Sequence, residues 1–398
     1  MEIIKEGKSD LLNSPKSAGI ISTQYLTFAE PPDEFKLENG EKLGPITIAF
    51  ETYGRLNDDK NNAILVFHAL SGDAHAAGYN SSEDKKPGWW DMMIGPAKPF
   101  DTNKYFVICS NILGGCKGTT GPYSINPETS APYALSFPDI TIKDMITVQK
   151  YLIDYLGIEK LFCVAGGSMG GMLALQWIVS YPDSAKGAVL IATAASHTAQ
   201  EIAFNSIGRY SIISDPDWNC GNYYGGLRPE TGLSIARMIG HVTYISEEAM
   251  HNKFGRNISN SNLNDSSRYS GCNETADFMR EFEVESYLKY QGESFIKRFD
   301  ANSYLYITRA IDNFDITEGF ENLADALSGV KSKCFVISFT SDWLYPKEQS
   351  QKIVKALKIN GIETIYTNFD SPYGHDAFLI EDERLKKIVK GFLMSIDQ

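Results

Sequence analysis

Apolar side chains along the chain gather into short continuous runs, separated by stretches with helical spacing. Ala63–Phe67, Tyr105–Cys109, Leu161–Ala165 and Gly187–Ala192 are such runs. They lack an alternating polar face, which predicts strands buried on both sides. Between them, Ile142–Leu156 puts Met145, Val148, Leu152 and Tyr155 or Leu156 on one face, and Gly157 stops the pattern, so a helix is predicted there. A second helix, Met169–Ile178, follows Leu161–Ala165 without a linker and stops near Tyr181-Pro182. The pattern resumes with a strand at Cys334–Phe339, a helix over Lys347–Lys358 and a strand at Ile362–Tyr366. A last helix is predicted from Asp376 to about Met394. Strands alternating with helices predict an α/β fold, with a mostly parallel sheet covered on both faces.

The alternation stops between Ser196 and about Gly329. Helical stretches are predicted there at Ala199–Ile212, Thr231–Ile239 and Phe278–Phe299, together with a polar loop around 257–275. An insertion of that size between two sheet strands exceeds a simple crossover. Residues 1–195 and 330–398 are therefore expected to form the core, with 196–329 inserted as a helical lid over the strand ends, where ligands bind in open α/β sheets. A separate domain with its own function is the alternative. No internal repeat is visible.

Composition narrows the class. A chain of 398 residues with 43% hydrophobic and 22% charged residues is ordinary for a soluble globular protein. It has no apolar run long enough to span a membrane. The first residues, MEIIKEGKSDLLNSPKS, lack the apolar core of a secretory leader. The six cysteines include no C-x-x-C, and Cys163 and Cys334 lie inside strand-like runs as small hydrophobes. A reducing cytoplasmic location is expected. The net charge of −13 argues against a nucleic-acid backbone as partner.

Candidate chemistry centres on Gly166-Gly167-Ser168-Met169-Gly170, a G-x-S-x-G pattern where a strand turns directly into a helix. Such a bend lifts the serine hydroxyl above the sheet, with the free N–H groups of the helix start behind it. A serine needs a base and an orienting group. Of six histidines, His375 lies in a turn-rich loop after a predicted strand, on the same rim as Ser168. His197, His241 and His251 fall in or near the insertion. Asp342 occupies the equivalent loop one strand earlier, and the order Ser168, Asp342, His375 fits a triad built on such a sheet. The oxyanion donors are expected to be the amides of Met169 and of Leu70, in the loop after Ala63–Phe67. His68 and His75 have no third ligand at metal-like spacing, so no metal site is expected. The glycine run 114–121 places Lys117 before Gly118, out of phosphate-loop order, and reads as a tight or pocket-lining loop.

These segments resemble the homoserine O-acetyltransferases, a family with the α/β-hydrolase fold. The likeness runs from Tyr53-Gly54 and HALSGDAHAAG (68–78), through GWWDMMIGPAKPFDT (88–102) and NILGGCKGTTGP (111–122), to GGSMGGMLALQW (166–177). It continues through FNSIGR (204–209) and DPDWNCGNY (215–223) to TSDWLYP (340–346) and YGHDAFL (373–379). The resemblance implies that Ser168, Asp342 and His375 form the triad and that Arg209 and Asp376 hold the amino acid. A guanidinium for the carboxylate and a carboxylate for the ammonium suit a zwitterion. It also implies acetyl-CoA as donor substrate, L-homoserine as acceptor, a ping-pong path through acetyl-Ser168 that feeds methionine biosynthesis, and a homodimer through the lid helices. No permanently bound cofactor is implied. Succinyl-CoA as donor, or L-serine as acceptor, remains open at this level. Lys117 departs from the neutral residue usual in its loop. An esterase and a non-enzymatic binding protein are the remaining alternatives on this fold.

Overall fold

The apolar runs become the inner strands of an eight-stranded sheet in the computed structural model, which describes residues 14–259 and 281–397. In chain order the strands are β1 (Gln24–Phe28), β2 (Ile46–Tyr53), β3 (Ala63–Phe67), β4 (Phe106–Ser110), β5 (Leu161–Gly167), β6 (Ala185–Ile191), β7 (Lys333–Phe339) and β8 (Thr364–Phe369). Their spatial order is β1-β2-β4-β3-β5-β6-β7-β8. β4 through β8 pair in parallel, whereas β1 on β2 and β2 on β4 are antiparallel. This is the mostly parallel sheet expected for an α/β-hydrolase fold.

Ten helices surround or cap the sheet among the described residues: α1 (Ile142–Tyr155), α2 (Met169–Ser180), α3 (Ala199–Ile213), α4 (Glu230–Tyr244), α5 (Glu247–Phe254), α6 (Glu283–Phe295), α7 (Ala301–Asp312), the short α8 (Leu323–Ala326), α9 (Lys347–Ile359) and α10 (Glu383–Ser395). α1 starts at Thr141, whose hydroxyl accepts from the Asp144 N–H at 3.1 Å while Asp144 accepts from the Thr141 N–H at 3.0 Å. A reciprocal cap of this kind is worth about 1 kcal/mol.

Strand alternation divides the core into two layers. Leu65 and Phe67 of β3 pack with α1, α2 and the inserted helices, while Ile64 and Val66 face Trp90, Phe100 and α10. Helices α3 to α8 lie in sequence between β6 and β7, where the alternation of the sequence stops.

Three boundaries differ from expectation. β8 begins at Thr364, not Ile362, because Gly361 (φ +71°) and the Ile362 N–H, bonded to Leu357 O at 3.1 Å, are spent closing α9. The predicted last helix is two elements. Gly374–Leu379 forms a short 3₁₀ turn that leaves helical geometry at Ile380, and Asp382 then caps α10 by accepting from the Arg384 N–H at 2.8 Å. Within the insertion α4 extends to Tyr244, α5 and α7 were not foreseen, and α6 covers 283–295. The beginning of the stretch predicted at 278–299 lies outside the described residues, as do Cys272 and most of the polar segment 257–275. The remaining cysteines are free, and Cys163 and Cys334 are buried in strands as their runs implied.

Candidate active site

β5 delivers Ser168 to a bend that only small neighbours permit. Ser168 sits at φ +58°, ψ −126°, a conformation that costs a non-glycine residue about 1–3 kcal/mol. A Cβ on Gly166 would lie 2.2 Å from Gly170 O, and one on Gly170 would lie 2.2 Å from Phe67 O. The bend is held from outside: the Ser168 N–H donates to Ile191 O at 2.9 Å, and Thr193 Oγ1 donates to Ser168 O at 2.9 Å. Strain at a polar side chain, fixed by its surroundings, marks a functional position.

The loops after β7 and β8 bring Asp342 and His375 together. Asp342 Oδ2 lies 2.9 Å from His375 Nδ1, and both side chains are buried. The other oxygen, Oδ1, accepts from the Leu344 and Tyr345 N–H groups at 3.0 and 2.9 Å, so the carboxylate cannot swing away. Burial alone would push the His375 pKa down. The Asp342 charge and hydrogen bond outweigh it, and the imidazole is held above its ordinary 6.5. With Nδ1–H directed at Asp342, Nε2 is the nitrogen left to exchange a proton.

Ser168 opens into a narrow cavity of about 40 Å³, lined also by Leu70, Met169, Tyr244, Tyr304 and Tyr345. The Tyr345 and Tyr244 rings stand 5.0 and 5.9 Å from the His375 ring, so the serine and the imidazole share this aromatic wall. Among the described residues no hydrogen bond joins Ser168 Oγ to His375; such contacts are often loose before substrate binds. Leu70 and Met169, the residues expected to supply the oxyanion amides, both border the cavity. Met169 is the first residue of α2, with no preceding turn to receive its N–H.

The loop carrying Leu70 is braced on several sides. His68 places Nδ1 2.8 Å from Ala69 O and accepts from the Ile112 N–H at its Nε2, 3.3 Å away. Burial lowers its pKa, which keeps it neutral for that dual role. His75 instead pairs with Glu51 at 2.9 Å, so the two histidines serve separate structural ends. Arg237 reaches Ser71 Oγ at 3.2 Å and Arg298 reaches Ser71 O at 2.8 Å.

Arg209 and Asp376 are placed differently from each other. Arg209 is buried on α3, with Nη1 2.7 Å from Asp312 Oδ2. Asp312 also receives His197 Nδ1 at 3.0 Å and Asn205 Nδ2 at 2.7 Å, and His197 Nε2 meets the Tyr345 hydroxyl at 2.5 Å. Burial would raise the Asp312 pKa, but its histidine, asparagine and arginine partners hold it below the usual range. Asp376 follows His375 in the 3₁₀ turn and has no hydrogen-bond or ion-pair partner among the described residues. Burial holds its carboxyl above the usual range, opposed by the charges of His375 and Arg237. It is not a helix cap; that role belongs to Asp382.

Sequence reasoning missed Asp312, Arg237 and the clasp between insertion and triad loops. In that clasp Ser246 donates to Pro372 O, and Trp343 Nε1 donates to Ile245 O at 3.2 Å. No motif marks these residues, because their roles arise only when distant helices meet the sheet rim. The glycine run 114–121 is a tight loop stitched to β2: Thr119 and Thr120 hydroxyls accept from the Ala49 and Thr47 N–H groups at 2.9 and 2.8 Å.

The family model for the alpha/beta hydrolase fold matches residues 62–382. A homoserine O-acetyltransferase of Methanohalobium evestigatum is 57% identical over 378 residues, covering 95% of this chain and 74% of that protein. The chain belongs to the homoserine O-acetyltransferase family. The crystal structure of a homoserine O-acetyltransferase from Bacillus anthracis superposes with a TM-score of 0.84 at 32% identity, covering 94% of this chain and 98% of that one. Esterase E22 is similar as well, with a TM-score of 0.83 at 29% identity, covering 94% of this chain and 100% of that one. The family scaffold therefore also occurs in a protein named for hydrolysis.

Proposed function

We propose that Ser168, Asp342 and His375 carry the acetyl group of acetyl-CoA to the hydroxyl of L-homoserine by a ping-pong path, giving O-acetyl-L-homoserine and CoA. The observation that carries this reading is the buried Asp342–His375 pair, which shares an aromatic wall with the strained Ser168 in a chain of this family. His375 Nε2 takes the Ser168 proton, and Oγ attacks the thioester carbonyl. The oxyanion is stabilised by the Leu70 and Met169 amides. The C–S bond breaks, the thiolate takes the proton from His375, and acetyl-Ser168 remains. Homoserine then gives its hydroxyl proton to His375 and attacks the ester, and Ser168 regains the proton as its C–O bond breaks.

Arg209 is the carboxylate partner of homoserine in this reading, and Asp376 receives its ammonium. The free Asp376 carboxylate beside the base supports that role. Residues 196–329 serve as a lid that limits water, favouring transfer over hydrolysis. The narrowness of the cavity supports it. Two copies associate through the lid: Ile207, Tyr210 and Ile213 of α3 and Ile235 and Val242 of α4 are exposed apolar residues on neighbouring helices. No helix among the described residues is long and apolar enough to cross a membrane, and a cytoplasmic location fits the free cysteines.

Mass spectrometry after mixing with acetyl-CoA alone tests the relay. A 42-Da-type acetyl adduct on the Ser168 peptide, discharged by homoserine and missing in Ser168→Ala, is the expected result (about one acetyl per active site for a ping-pong path). Turnover by Ser168→Ala would overturn it. The likeness to esterase E22 favours hydrolysis as a second reading, which predicts loss of the adduct to water at the same rate with and without homoserine.

A further inference from the structure

Four cations gather at a cavity outside the catalytic machinery. Lys117, Arg228, Lys297 and Arg298 line a cavity of about 370 Å³, together with Tyr123 and Tyr224. In a chain with net charge −13 this is a local reversal of sign. None of the four pairs with a carboxylate among the described residues. The one acid in the wall, Asp300, is already engaged: it meets the Tyr223 hydroxyl at 2.5 Å, the Tyr224 hydroxyl at 3.0 Å and the Ser303 N–H at 2.9 Å. Arg228 and Arg298 each spend one donor on a backbone carbonyl, and their other donors, with the two lysines, face the cavity without a carboxylate partner among the described residues.

Position tells which ligand. Arg298 Nη1 holds Ser71 O at 2.8 Å, and the neighbouring Leu70 lines the cavity of Ser168. The loop that lines the Ser168 cavity is therefore hydrogen-bonded to a residue that lines the cationic one. On the other side Lys117 projects, exposed, from the glycine run, which turns at Gly118 (φ +94°) while Thr119 and Thr120 fix the loop to β2. The run lacks phosphate-loop order, so what it offers an anion is the Lys117 side chain and not a nest of amides. An acyl donor built as a thioester on a long arm, with several phosphates at the far end, matches a serine cavity and a cationic cavity linked through the Arg298–Ser71 contact.

We propose that Lys117, Lys297, Arg228 and Arg298 bind the phosphate groups of CoA while its pantetheine arm passes the Ser71 loop towards Ser168. This rests on the acetyl-CoA reading above. Arg228 and Arg298 are anchored through Phe299 O and Ser71 O, at 3.0 and 2.8 Å, and present fixed forks. Lys117 and Lys297 are exposed and supply mobile point charges.

The test uses the full chain and a Lys117→Ala/Lys297→Ala variant, two exposed positions whose loss spares the fold. CoA and pantetheine, which lacks the nucleotide phosphates, are titrated into each by calorimetry. Steady-state rates are measured alongside with acetyl-CoA and acetyl-pantetheine. CoA affinity and kcat/KM for acetyl-CoA are expected to fall by about tenfold in the variant, and the KM for acetyl-CoA to lose part of its salt dependence. The values for pantetheine, acetyl-pantetheine and homoserine stay unchanged. Equal CoA affinity in both proteins, or a parallel loss for the phosphate-free donor, overturns the site. A wild-type protein that fails to acetylate homoserine overturns the catalytic reading instead, and its CoA titration still decides the cation cluster.

Discussion

Arg209 is tied to Asp312: its Nη1 lies 2.7 Å from a carboxylate oxygen on α7, in a buried cluster that also includes His197 and Asn205. The guanidinium proposed to receive the homoserine carboxylate is therefore held in place by a partner that also competes for its charge. Arg209→Ala is expected to lower kcat/KM for homoserine by about tenfold to a hundredfold through loss of charged hydrogen bonds. It also leaves Asp312 without its cation, at a cost of about 3 kcal/mol in stability. Asp312→Asn keeps the arginine, so it costs less in kcat/KM than Arg209→Ala. Steady-state kinetics and urea midpoints on both variants check this. An unchanged homoserine KM in Arg209→Ala would remove the residue from the acceptor site.

The Asp342–His375 pair is expected to set the acid limb of activity. His375 must be neutral at Nε2 to act as base, and its pKa is raised above 6.5 by Asp342 despite burial. kcat/KM is therefore expected to rise with pH through a midpoint above 6.5. The stability contribution runs the other way: a raised histidine pKa stabilises fully below the unfolded value and is lost as pH rises through the folded one. Asp342→Asn moves the acid limb down and lowers kcat by about a thousandfold or more. A limb that stays in place in that variant would show that another group controls it.

The backbone at Ser168 stores strain for function. At φ +58°, ψ −126° a glycine rests without penalty, whereas alanine keeps the Cβ clash. Ser168→Gly and Ser168→Ala are both expected to be inactive, with Ser168→Gly more stable than Ser168→Ala by about 1 kcal/mol. Thermal unfolding of the two variants measures this. Equal stabilities would mean that the bend is set by its neighbours at no cost to the serine.

The sheet was legible where strands are buried on both faces, because β3, β4, β5, β6 and β7 are continuous apolar runs. β2 escaped because Thr47, Glu51 and Thr52 interrupt its pattern, and Glu51 is a buried carboxylate that hydropathy reads as surface. Ser168, Asp342 and His375 were legible as candidates because they sit in loops after strands, in an order set by topology. Asp312 and Arg237 were not, since a polar side chain on a lid helix looks the same in sequence whether it faces solvent or another helix. The split of the last predicted helix turned on a single capping residue, Asp382, inside a stretch of good helix formers.

Glu51 is the buried anchor of the loop that follows β3. Its two oxygens meet Thr23 Oγ1 at 2.9 Å, Asn80 Nδ2 at 2.8 Å, the Tyr53 hydroxyl at 2.8 Å and His75 Nδ1 at 2.9 Å. Burial would raise its pKa, but His75, Asn80 and Tyr53 together hold it below 4.5. His75 is held above 6.5, with burial opposing and Glu51 prevailing. The carboxylate contribution is therefore present above 4.5 and lost as pH falls through its lowered value. The imidazolium contribution is complete below 6.5 and lost as pH rises through its raised value. The pair stabilises most between 4.5 and 6.5, where both charges are present in full. Glu51→Gln is expected to cost about 3 kcal/mol in that window and less on either side. Because residues 73–80 continue the loop that carries Leu70, the variant also loses activity without touching the triad. Urea unfolding of wild type and variant across pH 4 to 9 (roughly the span where both groups titrate) decides it: a stability difference that stays flat through that range would mean that Glu51 acts through shape and not through its charge.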